Sequence, residues 1–313
     1  MKPTLVAGVY IERDRAMFLV ATAVERAGRP ALHFRTFSEL RFDPSNSSEA
    51  EYALAVLAGK LGRLCPDLSH IGVACYGPFQ SLNPATPLLT TVCPDRADLP
   101  FKGKRVAQFF RDETARHLPQ GRPLFVLAET DANACAIGEA YARGTPDDHT
   151  LVFLLLTEGV GAGIVTGRTV FRSRLHPEIG LMHVRLHPTE ILYPPEGAET
   201  YARSLSSLCA NPSIERRQNL KMPDAEIPNL RAYYAAQAAL ATAVILSPHK
   251  IVIAADIEPS AGDTVKRIRE EFGALMRLRE IDRADPYVPS YLEPDFIESP
   301  EDVPGLVDRA RGY

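Results

Sequence analysis

The chain has 313 residues, of which 45% are hydrophobic, so it is long enough to form two hydrophobic cores and favours two domains over one. Its 35 lysines and arginines against 39 acidic residues give a formal net charge of -4, which argues against a nucleic-acid partner. No apolar run approaches the roughly 20 residues needed to cross a bilayer, and the N-terminus lacks a signal-peptide core, so we expect a cytoplasmic protein with no membrane partner.

The first half of the sequence predicts a β-hairpin followed by alternating helices and strands. Two β-rich runs surround a polar turn from Glu12 to Arg15. Ser48 and Glu51 have the spacing of a capping box, so we expect a helix to begin there, before a buried strand at 70–77. Prolines then interrupt residues 84–100, which predicts a long loop over a cleft.

A second hairpin is predicted in the middle of the chain, where residues 151–173 form two apolar runs around the turn TEGVGAG. A helix near 102–117, the strand PLFVLAET and a helix from Ala132 that Gly144 closes connect the two hairpins. A buried Ala-rich helix, the strand KIVIAAD and an amphipathic helix follow. Because each hairpin is followed by helices and strands, the sequence predicts a duplicated α/β fold.

Asp131 lies where the strand PLFVLAET joins the next helix. In open α/β folds the active site lies off the carboxyl ends of strands, and a carboxylate there can accept a proton from a substrate hydroxyl. Aspartate is also favoured at the start of a helix, where it stabilises the first turn by on the order of 1 kcal/mol. The position of Asp131 is therefore compatible with a general base and with a helix cap.

Glu178 lies in a histidine-rich segment, after His176 and before His183 and His187. This spacing fits no zinc pattern that we can define. A polar loop that lines a cleft is the alternative, in which the Glu178 carboxylate accepts hydrogen bonds from a polyol.

The turn TEGVGAG contains Gly159, Gly161 and Gly163. Glycine lets backbone N–H groups converge on an anion, so such a turn can hold a phosphate. Glu158 in the same turn carries the negative charge that a phosphate site normally excludes. A hairpin turn with no ligand is the alternative.

Taken in order, these segments resemble the ROK family (repressors, open reading frames and sugar kinases), most of all its fructokinase branch. They resemble the family motifs GP-(I/V)-D-x-N, D-x-N-A-A-A-L-G-E, G-T-G-I-G-x-G, H-P-E-M-G-H and G-P-A-I-E. The segments that carry the resemblance are YGPFQSLNP at 76–84, ETDANACAIGE at 129–139, TEGVGAGIVTG at 157–167, HPEIGLMHVRLHP at 176–188 and LCANPSIERR at 208–217. Their order and spacing match from about residue 4 to residue 256.

The resemblance implies an actin-like, duplicated ribonuclease-H-like fold of two domains with a central cleft. We expect the first domain to comprise residues 1–125 with the C-terminal tail 296–313, and the second to comprise residues 126–295. The resemblance also implies a homodimer that transfers the γ-phosphate of ATP, with Mg²⁺, to the hydroxyl of a sugar or sugar-like polyol.

The resemblance assigns roles to particular residues of this chain. Asp131 matches the general base. The sugar is expected at Asn83, Asn133, His176 and Glu178. The nucleotide is expected at Glu12, Glu158, Gly159, Gly161 and Gly163.

The sequence departs from the family pattern at each nucleotide turn. The first turn, E-A-G-G-T or D-x-G-G-T in the family, is Glu12-Arg13-Asp14-Arg15-Ala16 here, so the acid is kept and both glycines are lost. The second turn, G-T-G in the family, becomes Thr157-Glu158-Gly159, and a negative charge at about 4 Å from a phosphate charge costs roughly 4 kcal/mol at an effective dielectric of 20. The third, G-G-G in the family, is Ala254-Ala255-Asp256. These changes count against ATP unless Mg²⁺, Arg13 or Arg15 offsets Glu158.

The zinc site of the family's fructokinases is also altered. Those enzymes use one histidine and a C-P-x-H-G-x-C run; His187 matches the histidine, whereas the other ligand positions fall on Ala198, Tyr201 and Ser204. The sequence therefore predicts no structural zinc.

Two hypotheses follow. The first is an ATP-dependent sugar or polyol kinase with Asp131 as the base. The second is an ATP-independent relative of such kinases, either a non-catalytic sugar-binding or partner-binding module or an enzyme that uses Asp131 and Glu178 as acid and base.

Overall fold

The computed structural model of the chain describes residues 3–26, 29–81, 90–92, 101–167, 169–171, 177–192, 203–255, 261–277 and 295–298. These residues form two compact units, which divide between Asp131 and Ala132. Among the described helices, none has the length and apolar character needed to span a bilayer.

The first unit is built on a sheet with the strand order β3-β2-β1-β4-β7. The predicted hairpin is confirmed, because β1 and β2 pair antiparallel, and β4 lies parallel to β1 on its other side. In chain order the elements are β1 (Thr4–Ile11), β2 (Arg15–Arg26), β3 (Arg29–Arg41), α1 (Ser47–Leu64), β4 (Leu68–Cys75), β5 (Phe79–Ser81), β6 (Thr90–Val92), α2 (Val106–Ala115) and β7 (Phe125–Thr130). Residues 82–89 and 93–100 of the expected proline-rich loop lie outside the described residues.

The second unit is built on a sheet with the order β10-β9-β8-β11-β12. Its hairpin, β8 with β9, is also confirmed, and β11 lies parallel to β8. In chain order the elements are α3 (Asp131–Arg143), β8 (Thr150–Leu156), β9 (Val160–Thr166), β10 (Thr169–Val170), a 3-10 turn (Ile179–Leu181), α4 (Leu205–Cys209), α5 (Asn211–Asn219), α6 (Ile227–Leu246), β11 (Lys250–Ala255), α7 (Ala261–Arg277) and β12 (Asp295–Glu298).

The two sheets have the same arrangement of strands. In each sheet three antiparallel strands form one side, and two further strands continue the sheet parallel to the first strand of the hairpin. Because β1 and β8 hold the same place in this order, the duplication predicted from the two hairpins is confirmed.

The continuous apolar run of β8 is explained by burial on both faces. Val152, Leu154 and Leu156 pack with α4 to α7 in one core, whereas the alternate residues Leu151 and Phe153 pack under α3 in another. A strand covered on both faces needs apolar residues at every position. The Ala-rich helix α6 lies in the first of these cores, as predicted, with Ala235, Ala236, Ala238 and Ala239 fully buried.

Helix α1 begins earlier than the capping box predicted. The cap is Asn46, whose side chain accepts a hydrogen bond from the backbone N–H of Glu49, and the Glu49 carboxylate accepts one from the N–H of Asp43. Leu54, Leu57 and Leu61 are buried as expected from the apolar stripe, but Leu64 is exposed. The two serines between Asn46 and Glu49 lie inside the helix, so the capping pattern starts two residues before Ser48.

Candidate active site

Asp131 follows the last residue of β7 and is the first residue of α3. Its carboxylate therefore lies in the first turn of a helix, where the helix dipole favours a negative charge. Cys75, at the end of the neighbouring strand β4, is opposite Thr130 in the sheet. Burial raises the pKa of the Cys75 thiol well above its ordinary value, and the charge of Asp131 raises it further. The charge of Asp131 thus acts at the carboxyl ends of β4 and β7, where the sequence predicted a site.

The N-terminal turn of α3 packs on β9 through two glycines. A Cβ atom on Gly163 would lie 2.6 Å from the carbonyl carbon of Ala132 and 2.8 Å from the Cβ of Ala136, and closer still to the Ala132 carbonyl oxygen. A Cβ on Gly161 would lie 3.2 Å from the Cβ of Ala132. Gly163 is therefore required for the close approach of α3, which begins with Asp131.

Gly159 lies in the turn between β8 and β9, whereas Gly161 and Gly163 lie in β9 itself. It is exposed, and a Cβ added to it would meet nothing within 4 Å. The neighbouring carboxylate of Glu158 is exposed as well. At this position the backbone is exposed, which a turn that binds a phosphate would require.

The ends of the turn are held by residues that follow much later in the chain. The N–H of Asn211, the first residue of α5, donates to the Thr157 carbonyl at 2.8 Å. The N–H of Val160 donates to the Ser206 hydroxyl at 3.1 Å. The turn is also closed internally, because the N–H of Thr157 donates to the Gly159 carbonyl at 2.9 Å. The turn therefore has a fixed shape.

Glu178 is exposed and immediately precedes the 3-10 turn Ile179–Leu181. Gly180 in that turn is buried, and a Cβ there would clash with the Ser206 hydroxyl and the Val160 carbonyl. The segment that carries Glu178 is therefore packed against the beginning of β9, beside the TEGVGAG turn. Of the other predicted sugar contacts, Asn133 is 4% exposed in the first turns of α3, whereas Asn83 and His176 lie outside the described residues.

In the first unit, ion pairs close the turn between β1 and β2. The guanidinium of Arg15 binds both carboxylate oxygens of Glu12, with Nη2 at 2.8 Å from Oε1, and this pairing raises the pKa of Arg15. Asp14 pairs with Arg41 of β3 at 3.1 Å. The carboxylate of Glu12, predicted to serve the nucleotide, is thus occupied by the side chain that replaces a family glycine.

The segment around His187 is held by a buried network that the sequence did not predict. The Glu190 carboxylate accepts hydrogen bonds from Arg217 at 2.7 Å and from the Tyr234 hydroxyl at 2.8 Å, and all three side chains are buried. The N–H of His187 donates to the same tyrosine hydroxyl, and the His187 ring contacts Thr189. No sequence pattern near Glu190 indicates these partners, which lie 27 and 44 residues away.

Among the described residues, no group of three histidine, cysteine or acidic side chains is placed to hold a metal ion. Ser204, at one of the family's zinc positions, instead caps α4 by accepting a hydrogen bond from the N–H of Ser207. Ala198 and Tyr201, at two others, lie outside the described residues. The absence of zinc stays a prediction.

Comparison with known proteins gives both a family and a fold. The model of the ROK family matches residues 117–285, more than half of the chain. A fructokinase from Streptococcus mutans is 25% identical over 242 residues, which are 75% of this chain and 74% of the relative.

Two solved structures show the fold. The ROK hexokinase from Thermus thermophilus has a TM-score of 0.65 at 18% identity, with 98% of this chain and 97% of that chain covered. The ROK family glucokinase from Streptomyces griseus, in complex with glucose and AMPPNP, has a TM-score of 0.61 at 15% identity, with 94% of each chain covered. The predicted actin-like fold is confirmed.

Proposed function

The chain belongs to the ROK family, and we propose that it is an ATP-dependent kinase of a sugar or sugar-like polyol, with Asp131 as the general base. The observation that carries the proposal is the placement of Asp131 at the carboxyl end of β7 and the start of α3. Groups that act on substrates lie at such strand ends in open α/β folds. The fructokinase of Streptococcus mutans and the glucokinase of Streptomyces griseus support a sugar as the acceptor.

In the proposed reaction the Asp131 carboxylate accepts the proton of one sugar hydroxyl. The hydroxyl oxygen then forms a bond to the γ-phosphorus of ATP, while the bond from that phosphorus to the bridging oxygen breaks and ADP leaves. The helix dipole of α3 favours the negative charge of the Asp131 carboxylate, which is the form that a base requires. Glu178, exposed beside the second turn, is proposed to accept hydrogen bonds from other sugar hydroxyls, as are Asn83, Asn133 and His176.

The TEGVGAG turn is proposed to receive the phosphates of ATP. The open backbone at Gly159 fits an anion, and the exposed carboxylate of Glu158 is a hard oxygen ligand of the kind that Mg²⁺ prefers. Glu158 would therefore hold Mg²⁺, which when bound neutralises phosphate charge. With Mg²⁺ bound, the Glu158 carboxylate, which by itself would repel phosphate, would contribute to the phosphate site.

Turnover of Asp131 variants tests the assignment of the base. ADP release is measured over a panel of hexoses and polyols with Mg·ATP, for wild type, Asp131→Asn and Asp131→Ala. We expect both variants to lose roughly 10²-fold or more in kcat while they unfold near the wild-type urea concentration. If the variants instead lose about 1 kcal/mol of stability and keep nearly full turnover, Asp131 stabilises the start of the helix and is not the base.

A second candidate function, without ATP, is favoured by one observation. The Glu12–Arg15 ion pair fills the turn where the family has glycines. The chain would then bind a sugar or a partner without catalysis, or use Asp131 and Glu178 as acid and base. Calorimetry distinguishes the two candidates. If a sugar binds but ATP with Mg²⁺ does not bind at millimolar concentration, the second candidate is favoured over the kinase.

We also propose that the protein acts as a cytoplasmic homodimer. The domain limits proposed from the sequence, 1–125 with 296–313 and 126–295, differ from the compact units in two places: β7 (Phe125–Thr130) belongs to the sheet of the first unit, and β12 (Asp295–Glu298) belongs to the sheet of the second.

A further inference from the structure

Arg231 is a fully buried cation in the second unit. It lies in α6, and its side chain has no solvent exposure. Among the described residues, Nη2 of its guanidinium donates to the Leu156 carbonyl at 2.8 Å and to the Asn211 side-chain oxygen at 3.1 Å. Within the described part of the chain, Nε and Nη1 have no hydrogen-bond partner and no carboxylate pairs with the guanidinium.

The other buried arginine of this unit is fully neutralised. Arg217 is equally buried, but it pairs with the Glu190 carboxylate and also donates to the Ser213 hydroxyl and the Leu208 carbonyl. A buried charge without a counter-charge is strongly unfavourable. Packing alone therefore does not account for an arginine at position 231.

The two partners of Arg231 frame the TEGVGAG turn. Leu156 is the last residue of β8 and directly precedes Thr157, while Asn211 donates its backbone N–H to the Thr157 carbonyl. A single guanidinium nitrogen thus links the strand that enters the turn to the helix that fixes it. Arg231 also lies beside Cys209: the thiol donates to the Arg231 carbonyl at 3.6 Å. Burial raises the pKa of this thiol to about 11, and the positive charge of Arg231 opposes that rise.

We infer that Arg231 is a positioning residue of the phosphate turn. It fixes the turn through Leu156 and Asn211, and its buried positive charge offsets the negative charges of Glu158 and of a bound nucleoside triphosphate. The second part of this inference rests on the proposed function. A buried guanidinium supplies this charge without occupying the open backbone at Gly159, where the ligand would bind.

Two variants of Arg231 and a control on the same helix test the inference. Arg231→Met removes the charge at similar length, and Arg231→Lys keeps it. Tyr234→Phe is the matched control, because it also alters a buried polar group of α6 but removes a bond to Glu190 instead of one to the turn. For each protein the Kd of Mg·ATP and of a bound hexose is measured by calorimetry, and amide exchange is measured for peptides that cover residues 157–163.

For Arg231→Met we expect the Kd of Mg·ATP to rise roughly tenfold, the effect of about 1.4 kcal/mol, with the hexose Kd within twofold of wild type. Amide exchange in residues 157–163 should be faster. Arg231→Lys should recover most of the ATP affinity, and Tyr234→Phe should leave both measurements of the turn as in wild type.

Wild-type ATP affinity and wild-type exchange in Arg231→Met would overturn the inference, as would an equal loss in Tyr234→Phe. If the wild type itself binds no ATP, the proposed kinase function fails. Exchange in the turn then decides the positioning role separately: faster exchange in Arg231→Met but not in Tyr234→Phe supports it, and equal exchange overturns it.

Discussion

Replacing Gly163 by alanine tests whether β9 sets the position of α3 and hence of Asp131. The new Cβ would lie 2.6 Å from the Ala132 carbonyl carbon and 2.8 Å from the Ala136 Cβ, whereas real Cβ atoms essentially never come within 3.0 Å of another heavy atom. Two of the atoms in the way belong to the backbone of α3, which no rotamer change can move. The helix must therefore shift away from β9, by about 1 Å to restore ordinary van der Waals separations.

The shift should reduce both stability and turnover. Overpacking of a tight core contact costs about 1–3 kcal/mol of unfolding free energy. Because Asp131 begins the helix that moves, the proposed base moves with it, and a misplacement of about 1 Å lowers turnover roughly 10²-fold. We therefore expect Gly163→Ala to unfold at lower urea concentration and to lose most of its kcat, while the ATP affinity of the turn changes less.

Gly159→Ala is the matched control in the same turn. Nothing lies within 4 Å of its added Cβ, so the unfolding free energy should stay within about 0.5 kcal/mol of wild type. If Gly159 receives phosphate, the Kd of Mg·ATP should nevertheless rise in this variant. Wild-type stability and wild-type kcat for Gly163→Ala would mean that the position of α3 does not depend on the close contact with β9.

Two further variants test the remaining ion pairs. Glu190→Gln should lower the unfolding free energy by about 3 kcal/mol at pH 7, because it breaks the buried pair with Arg217. Burial raises the pKa of Glu190, but the hydrogen bonds from Arg217 and the Leu192 N–H outweigh it, and the pKa is lowered overall from 4.5. Its stabilisation is thus full above that value and is lost as pH falls through the folded pKa, so urea titrations between pH 7 and pH 3 should show this acid loss in wild type and not in the variant. Restoring both family glycines with Asp14→Gly and Arg15→Gly should tighten Mg·ATP binding roughly tenfold; an unchanged Kd would show that the ion pair does not obstruct the turn.

The two hairpins, and the duplication that they indicate, could be predicted because their signals are local. Alternating or continuous apolar runs beside a polar turn define β1 with β2 and β8 with β9, and the run LVFLLL is apolar throughout because both faces of β8 are buried. The position of Asp131 could be predicted for the same reason, since it directly follows a recognisable strand. The start of α1 was misplaced although a local signal existed, because Asn46 with Glu49 and Ser48 with Glu51 have the same spacing.

Long-range packing could not be predicted from one sequence. Glu190 meets Arg217 and Tyr234 across 27 and 44 residues, and Arg231 meets Leu156 across 75. No spacing rule connects such positions, since the contact depends on how α5 and α6 pack on the sheet. These partners hold the TEGVGAG turn and the His187 segment, so the sequence predicted exposed residues of the candidate site but not the buried residues that support them.

The three glycines of TEGVGAG have different roles in the structure, so they do not all indicate an ATP site. Gly163 is explained by the approach of α3 and Gly161 in part by the same contact, so neither requires a phosphate. Gly159 has no packing partner, and its exposed backbone lies beside Glu158 on a turn that Asn211 and Ser206 hold in place. A turn that a buried arginine holds in place and whose backbone is exposed at Gly159 has the form of an anion site. A simple hairpin connection needs neither feature. Gly159 and Arg231 are therefore the residues that favour a nucleotide site, whereas Gly161 and Gly163 support the position of Asp131.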